Sequence, residues 1–389
     1  NRGPNSGAGT RPLSDRGFRS LSGGSSSQAP QSDRSSGERF MDRIQEHGFY
    51  RGIDPEGGVE VKKVINRAEE VVSQMLSGIA KASPQLVRVL PGTQVVIRSD
   101  APVSNKVAVI SGGGSGHEPA HAGFVGRGML DAALAGAVFA APPLSDAVTA
   151  LKSCATPKGV LFVVKNYTGD RLLFDMASEE AQEMGIPVRS VVVADDVALE
   201  DVSKRRGVAG TVFVHKIAGA MADLGAELEE VYEVAHRAAG FIRSMGVALS
   251  PCTLPGNENP SFSLGDDEIE IGIGIHGEAG IRRDKILPSR QLVEVMLTRI
   301  LADLPFDAGD EVAVLINGMG STPLMELWIA FRDVEEVLTS RGIRIYRSYV
   351  GEYMTSLNMA GFSITLFRLD AQLKTLLDHP CRTLAWTQT

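Results

Sequence analysis

Four residues have types and settings suited to chemistry on a small molecule: His117, Lys165, Asp170 and His276. His117 follows a glycine-rich stretch in "VAVISGGGSGHEPAHAGFVG" (107–126), which itself follows an apolar run. Lys165 and Asp170 share "VLFVVKNYTGD" (160–170), where a second apolar run ends in a lysine and an aspartate sits on the turn beyond. In "IEIGIGIHGEAG" (269–280), Ile269, Ile271, Ile273 and Ile275 alternate with Glu270, Gly272, Gly274 and His276. The face carrying the histidine is nearly bare, and glycine in a strand often marks close approach of a ligand. A neutral imidazole is a nucleophile near neutral pH and can attack an electrophilic carbonyl. A histidine–aspartate pair can hold or deprotonate a hydroxyl. By residue type alone, the set points to carbonyl or hydroxyl chemistry on a small molecule and no further.

Each feature also has a plainer reading. The stretch Gly112–Gly116 is a phosphate cradle, a zinc site, or a loop that places His117 near a ligand; a tight structural turn is the bland alternative. A P-loop needs a lysine after its glycines, and here His117 stands there. The dinucleotide fingerprint fails too, because its third glycine falls on His117 or Pro119. "HEPAH" (117–121) fits the zinc motif literally, but Pro119 predicts a helix starting there and leaves His117 outside it. Lys165 reads equally as a lysine at a strand end, Asp170 as a helix cap, and His276 as an edge-strand histidine. His215 in "VFVHKIAG" reads as a buried, hydrogen-bonded histidine.

The elements that must position these residues are legible as periodicity. "VKKVINRAEEVVSQMLSGIAKA" has helical spacing, and "TQVVIR" and "KVAVI" read as short strands. "GVLFVV" (159–164), "VRSVVV" (188–193) and "GTVFV" (210–214) are continuous β-branched runs, with helical segments such as "LFDMASEEAQEMG" among them. Fully apolar strands alternating with helices predict a parallel sheet covered on both faces. Further on, 267–280 alternates as a half-buried strand, and 311–318, 343–350 and 362–370 read as strands, with a helix over "RQLVEVMLTRILADL". The expectation is two α/β domains: a mainly parallel sheet at 58–245 and a smaller mixed sheet at 246–389, with the chain crossing back near its end. Ligands of open α/β sheets bind beyond the carboxyl ends of strands, where His117 stands.

Composition narrows the class. The chain has 389 residues and a net charge of −8, which argues against nucleic acid and anionic membrane as partners. The three cysteines, Cys154, Cys252 and Cys381, are far apart, fit no metal spacing and suggest a reducing compartment. Without an apolar run long enough for a membrane span, the expected location is cytoplasmic. Residues 1–40 hold ten serines, seven glycines and six arginines, so residues 1–57 read as a disordered or extended tail, with a transit peptide and translated sequence upstream of a start at Met41 as the other readings.

Several long motifs, in order, identify a resemblance: "GGGSGHEPAHAGFVGRGMLDAALAGAVF", "VVKNYTGDRLLFDMA", "RRGVAGTVFVHKIAGA", "RSMGVALSPCTLPG", "EIGIGIHGEAGI", "LINGMGSTPLMEL" and "YMTSLNMAGFSITLFRLD". Over residues 59–379 the chain resembles the substrate-binding K subunit (K domain) of the dihydroxyacetone kinase family. The resemblance implies that the ketose is held as a covalent hemiaminal on His276. It implies that His117 hydrogen-bonds the substrate hydroxyls, that Asp170 is base for the phosphorylated hydroxyl, and that Lys165 and Gly114, with Ser115 and Gly116, line the site. No cofactor or metal is expected on this chain; ATP or ADP with Mg belongs to a helical L subunit, recharged in some members by a phosphotransferase-system protein. A homodimer is implied as well. "DDVALEDVSKRRGVAG" is a few residues shorter than the family's usual segment, and the N-terminal tail has no counterpart. Alternatives are a ketose-sensing co-regulator, a kinase subunit for another ketose such as erythrulose, and a Schiff-base enzyme using Lys165.

Overall fold

The computed structural model describes residues 62–389, so the expected tail at 1–57 lies outside the described residues. Helix α1 (Val71–Ala82) leads into a six-stranded sheet of β1 (Val87–Val89), β2 (Val95–Arg98), β3 (Ala108–Ser115), β4 (Ala132–Val138), β5 (Val160–Lys165) and β6 (Val188–Val193). The spatial order is β1-β2-β4-β3-β5-β6. Strands β4, β3, β5 and β6 run parallel, while β1 and β2 join antiparallel at one edge. The continuous apolar runs make sense here, because both faces are covered. On one face Ile110, Phe162 and Val164 pack with Ala147 and Leu151 of α2 (Leu144–Cys154) and Phe174 of α3 (Thr168–Glu183). On the other, Val109, Leu161 and Val163 pack with α4 (Thr211–Asp223) and α5 (Leu228–Gly240).

Two expectations are corrected. "GTVFV" (210–214) is not a strand but the start of α4. Nearly every residue of α4 is buried, so the helix shows no polar face, and a short apolar run cannot be told from a buried strand by period. The glycine triple is not a loop: Gly112–Gly114 belong to β3, and of Gly112–Gly116 only Gly116 has positive φ, at +99°.

The second sheet also has six strands: β7 (Ile242–Ala248), β8 (Glu268–Ile271), β9 (Arg282–Lys285), β10 (Glu311–Gly318), β11 (Arg344–Gly351) and β12 (Gly361–Arg368). Its order is β11-β10-β12-β7-β8-β9, parallel only between β10 and β11. Strand β7 spans the expected boundary at 245/246 and lies wholly in this sheet. Helices α6 (Ser289–Asp303) and α7 (Leu324–Ser340) cover one face through Met296, Ile300, Leu327 and Val334. Phe367 of β12 instead meets Phe213 of α4, with ring centroids 5.3 Å apart, so α4 is packed between the sheets. After α8 (Ala371–Asp378) the chain returns to the first half, where Arg382 N–H donates to Arg127 O at 2.9 Å. Among the described residues, no helix is long and apolar enough to cross a membrane.

Candidate active site

Strand β3 runs between β4 and β5, and the chain turns at Gly116 to deliver His117 at the carboxyl end. The expected helix at Pro119 is absent; turns lead into a short 3-10 turn at Ala122–Phe124. Contacts from the second half hold this segment instead. Leu357 N–H donates to Gly116 O (2.8 Å), and Thr355 N–H to His117 O (3.2 Å). His117 is fully buried and its Nδ1 lies 2.8 Å from Thr355 O. A carbonyl only accepts, so Nδ1 carries the proton and Nε2 presents a lone pair. That Nε2 has no hydrogen-bond partner among the described residues. Burial, with the nearby Lys165 and His276 charges, holds the His117 pKa well below the usual value, against the opposing bond to Thr355.

Strand β5, the parallel neighbour of β3, ends in the buried Lys165. Its Nζ lies 3.0 Å from Oδ2 of Asp170, which sits in the first turn of α3 near the positive end of the helix dipole. Gly113 makes room for this pair, since a Cβ there would lie 2.7 Å from Lys165 Nζ and 3.2 Å from Asp170 Oδ2.

His276 arrives from the second half. The sequence predicts a strand over 267–280, but β8 stops at Ile271, where Gly272 adopts φ +81°. His276 therefore stands on a loop, although Ile269, Ile271, Ile273 and Ile275 are all buried as the alternation implies. Its Nδ1 lies 2.8 Å from Glu278 Oε1, and its backbone N–H donates to Oε2 at 2.9 Å. A carboxylate accepts here, so Nδ1 is the protonated nitrogen and Nε2 presents a lone pair. Burial opposes ionisation of Glu278, but the hydrogen bonds it accepts from the His276 ring and backbone, with the electrostatic pull of that ring, outweigh it and hold its pKa down to about 2.

The rings close the assembly. His117 and His276 meet edge to ring with centroids 4.8 Å apart, and His117 stacks on Phe139 at 5.0 Å. Tyr167 lies 4.6 Å from the His276 ring, and Lys165 Nζ lies 5.0 Å from the Tyr167 centroid. His117, Lys165, Asp170 and His276 are thus brought together. The glycine loop contributes differently: Gly114 allows close approach of Ala140 N, and Gly116 lies against the Phe139 ring. The Ser115 hydroxyl donates to Gly136 O at 2.7 Å, so it serves the framework. Three buried polar atoms at the site lack hydrogen-bond partners among the described residues, namely His117 Nε2, Lys165 Nζ and Tyr167 OH; the lysine lies near Asp170 without a well-aligned bond. Unpaired buried polar groups are rare, and three together suit a small polar ligand.

Sequence reasoning did not single out Glu278, Tyr167 or Phe139. Glu278 had a signal, a carboxylate two residues after the histidine. Tyr167 lay inside a motif already singled out. Phe139 had none, although its backbone is left-handed at φ +59°, a conformation that clusters at functional sites. The two histidines of "HEPAH" have different partners, since His121 Nδ1 lies 3.0 Å from His215 Nε2. His215 is buried as expected but only half satisfied, because its Nδ1 has no partner among the described residues.

Known proteins resemble this chain in sequence and in fold. The Dak1 domain model matches residues 77–385. The chain is 48% identical over 330 residues to a Listeria innocua protein named PTS-dependent dihydroxyacetone kinase 1, dihydroxyacetone-binding subunit DhaK, covering 84% of this chain and 100% of that one. The dihydroxyacetone kinase of C. freundii superposes with TM-score 0.78 at 39% identity, covering 84% of this chain and 60% of that one. The dihydroxyacetone kinase operon co-activator Dha-DhaQ superposes with TM-score 0.78 at 37% identity, over 83% of this chain and 99% of its own. On these grounds the chain belongs to the Dak1 domain family.

Proposed function

We propose that this chain is the dihydroxyacetone-binding subunit of a dihydroxyacetone kinase and that it holds the ketose covalently on His276. The observation that carries this reading is the placement of His276: Nδ1 is tied to Glu278 and the ring faces His117, Phe139 and Tyr167. In the proposed step, Nε2 donates its electron pair to the ketone carbon. The C=O π bond breaks, the oxygen takes a proton from solvent, and the Nδ1 proton passes to Glu278, which neutralises the charge developing on the ring. The adduct is a hemiaminal. Glycerol, which has no carbonyl, is rejected by this chemistry, although it could mimic the hydroxyl contacts. The lone pair on His117 Nε2 accepts from a substrate hydroxyl. Asp170 removes the proton from the hydroxyl to be phosphorylated, with Lys165 fixing the carboxylate. Gly114, Ser115 and Gly116 shape the wall through backbone and packing.

Phosphoryl transfer mostly needs positioning and charge neutralisation. In this reading the donor nucleotide and its Mg reside on a separate L subunit, charged from ATP or by a phosphotransferase-system protein, and the K chain acts as a homodimer. The test combines the chain with dihydroxyacetone, a phosphoryl donor and a family L subunit. Dihydroxyacetone phosphate is expected only when both subunits are present. Turnover by the chain alone with ATP contradicts the proposal. The likeness to the Dha-DhaQ co-activator supports a second reading, a ketose sensor without a kinase role. Ketose binding with no turnover from any L subunit favours that reading.

A further inference from the structure

The loop that carries His276 is tied down by a side chain from the other half of the molecule. Arg206 is 6% exposed and lies between β6 and α4. Its Nε and Nη2 both lie 2.7 Å from Asp196 Oδ2. Nη2 also donates to Gly272 O at 2.7 Å, and Nη1 to Glu278 O at 3.4 Å. One guanidinium therefore holds the loop on both sides of His276. Asp196 is itself fixed: its N–H donates to Arg206 O (3.1 Å), and its Oδ1 accepts from Ala198 N–H (3.0 Å). Its backbone also bridges to Ser244 of β7. Gly274 is bare because a Cβ there would lie 2.6 Å from Arg206 Nη1 and collide with the Glu278 carboxylate.

We propose that Arg206, anchored by Asp196, is a positioning residue for ketose capture, setting His276 Nε2 against the pocket of His117, Lys165 and Tyr167. The inference rests on the reading of His276 as the nucleophile. Only a planar fork reaches a carboxylate and two carbonyls at once; a lysine ammonium does not reproduce it. Removing the arginine alone leaves a buried, unpaired carboxylate, so the neutral pair Asp196→Asn/Arg206→Met is the cleaner variant.

The test uses the full chain and dihydroxyacetone labelled with carbon-13 at the ketone carbon. The wild type is expected to show a tetrahedral-carbon signal that His276→Ala abolishes. Arg206→Lys and the double variant are expected to unfold cooperatively near the wild-type temperature, yet bind the ketose about 100-fold more weakly. With an L subunit, the loss falls on the ketose KM and leaves the KM for the phosphoryl donor unchanged, a split that general destabilisation does not give. Wild-type ketose affinity and adduct signal in Arg206→Lys overturn the inference while leaving the nucleophile reading intact. Absence of the signal from the wild type overturns the nucleophile reading, and this inference with it.

Discussion

His117 and His276 meet edge to ring, centroids 4.8 Å apart and planes inclined by 66°. One follows a strand of the first sheet and the other stands on a loop of the second. Their environments differ in a way that suits different tasks. His117 is sealed, with Nδ1 committed to a carbonyl, whereas the His276 side chain is 20% exposed and its Nδ1 is committed to a carboxylate. Both arrangements leave Nε2 unprotonated, which in the proposed function makes His117 an acceptor and His276 the nucleophile.

In the proposed function Glu278 orients the nucleophile, through its contact with His276 Nδ1. Glu278→Gln keeps an oxygen for Nδ1 but removes the negative charge that stabilises the ring during attack. Ketose turnover in the two-subunit assay is expected to fall by about 10²-fold, in the range of a general acid–base contribution. An unchanged rate would show that the carboxylate only shapes the loop.

The glycines of β3 are expected to separate activity from stability. In Gly113→Ala the new methyl meets the flexible end of Lys165, at 2.7 Å, so the fold is kept while the Lys165–Asp170 pair is displaced. In Gly114→Ala the methyl meets backbone, with Ala140 N at 2.6 Å, and the segment itself must shift. Thermal unfolding and turnover measured side by side should show loss of turnover with little loss of stability for the first, and loss of both for the second.

Acid should destabilise the protein through three buried histidines. Burial, with the Lys165 charge, holds His117 and His121 well below the usual pKa and lowers His215 to about 3. Below about pH 6.5 the unfolded chain binds a proton at each that the folded chain refuses. The unfolded state then binds more protons, so stability rises with pH and is lost as pH falls below that value. The slope approaches about 1.4 kcal/mol per pH unit for each histidine. Denaturant unfolding at about pH 7.5 and about pH 5.5 checks this, with a shallower dependence expected in His215→Leu. A flat profile contradicts it.

The sequence was most legible where one period dominated. Strands β5 and β6 appear where apolar runs predict them: β5 is buried throughout and has no polar interruption before Lys165, whereas β6, at the sheet edge, exposes Arg189 and is legible through its Val191–Val193 end. The same rule misled at α4, whose opening "GTVFV" is buried on all sides by tertiary packing that no local pattern records. At 269–276 the alternation correctly buried four isoleucines, but it could not show that Gly272 ends the strand and that Arg206 takes over. The four chemical residues were visible because each follows an apolar run or a glycine stretch. Their orienting partners, Thr355, Glu278 and Arg206, act through contacts made only on folding.

Covalent capture at His276 is decided by a crystal of the chain soaked with dihydroxyacetone. Continuous density from His276 Nε2 to the ketone carbon is expected, with a substrate hydroxyl at His117 Nε2. A ketose lying unattached beside His117, with the His276 ring free, would contradict it.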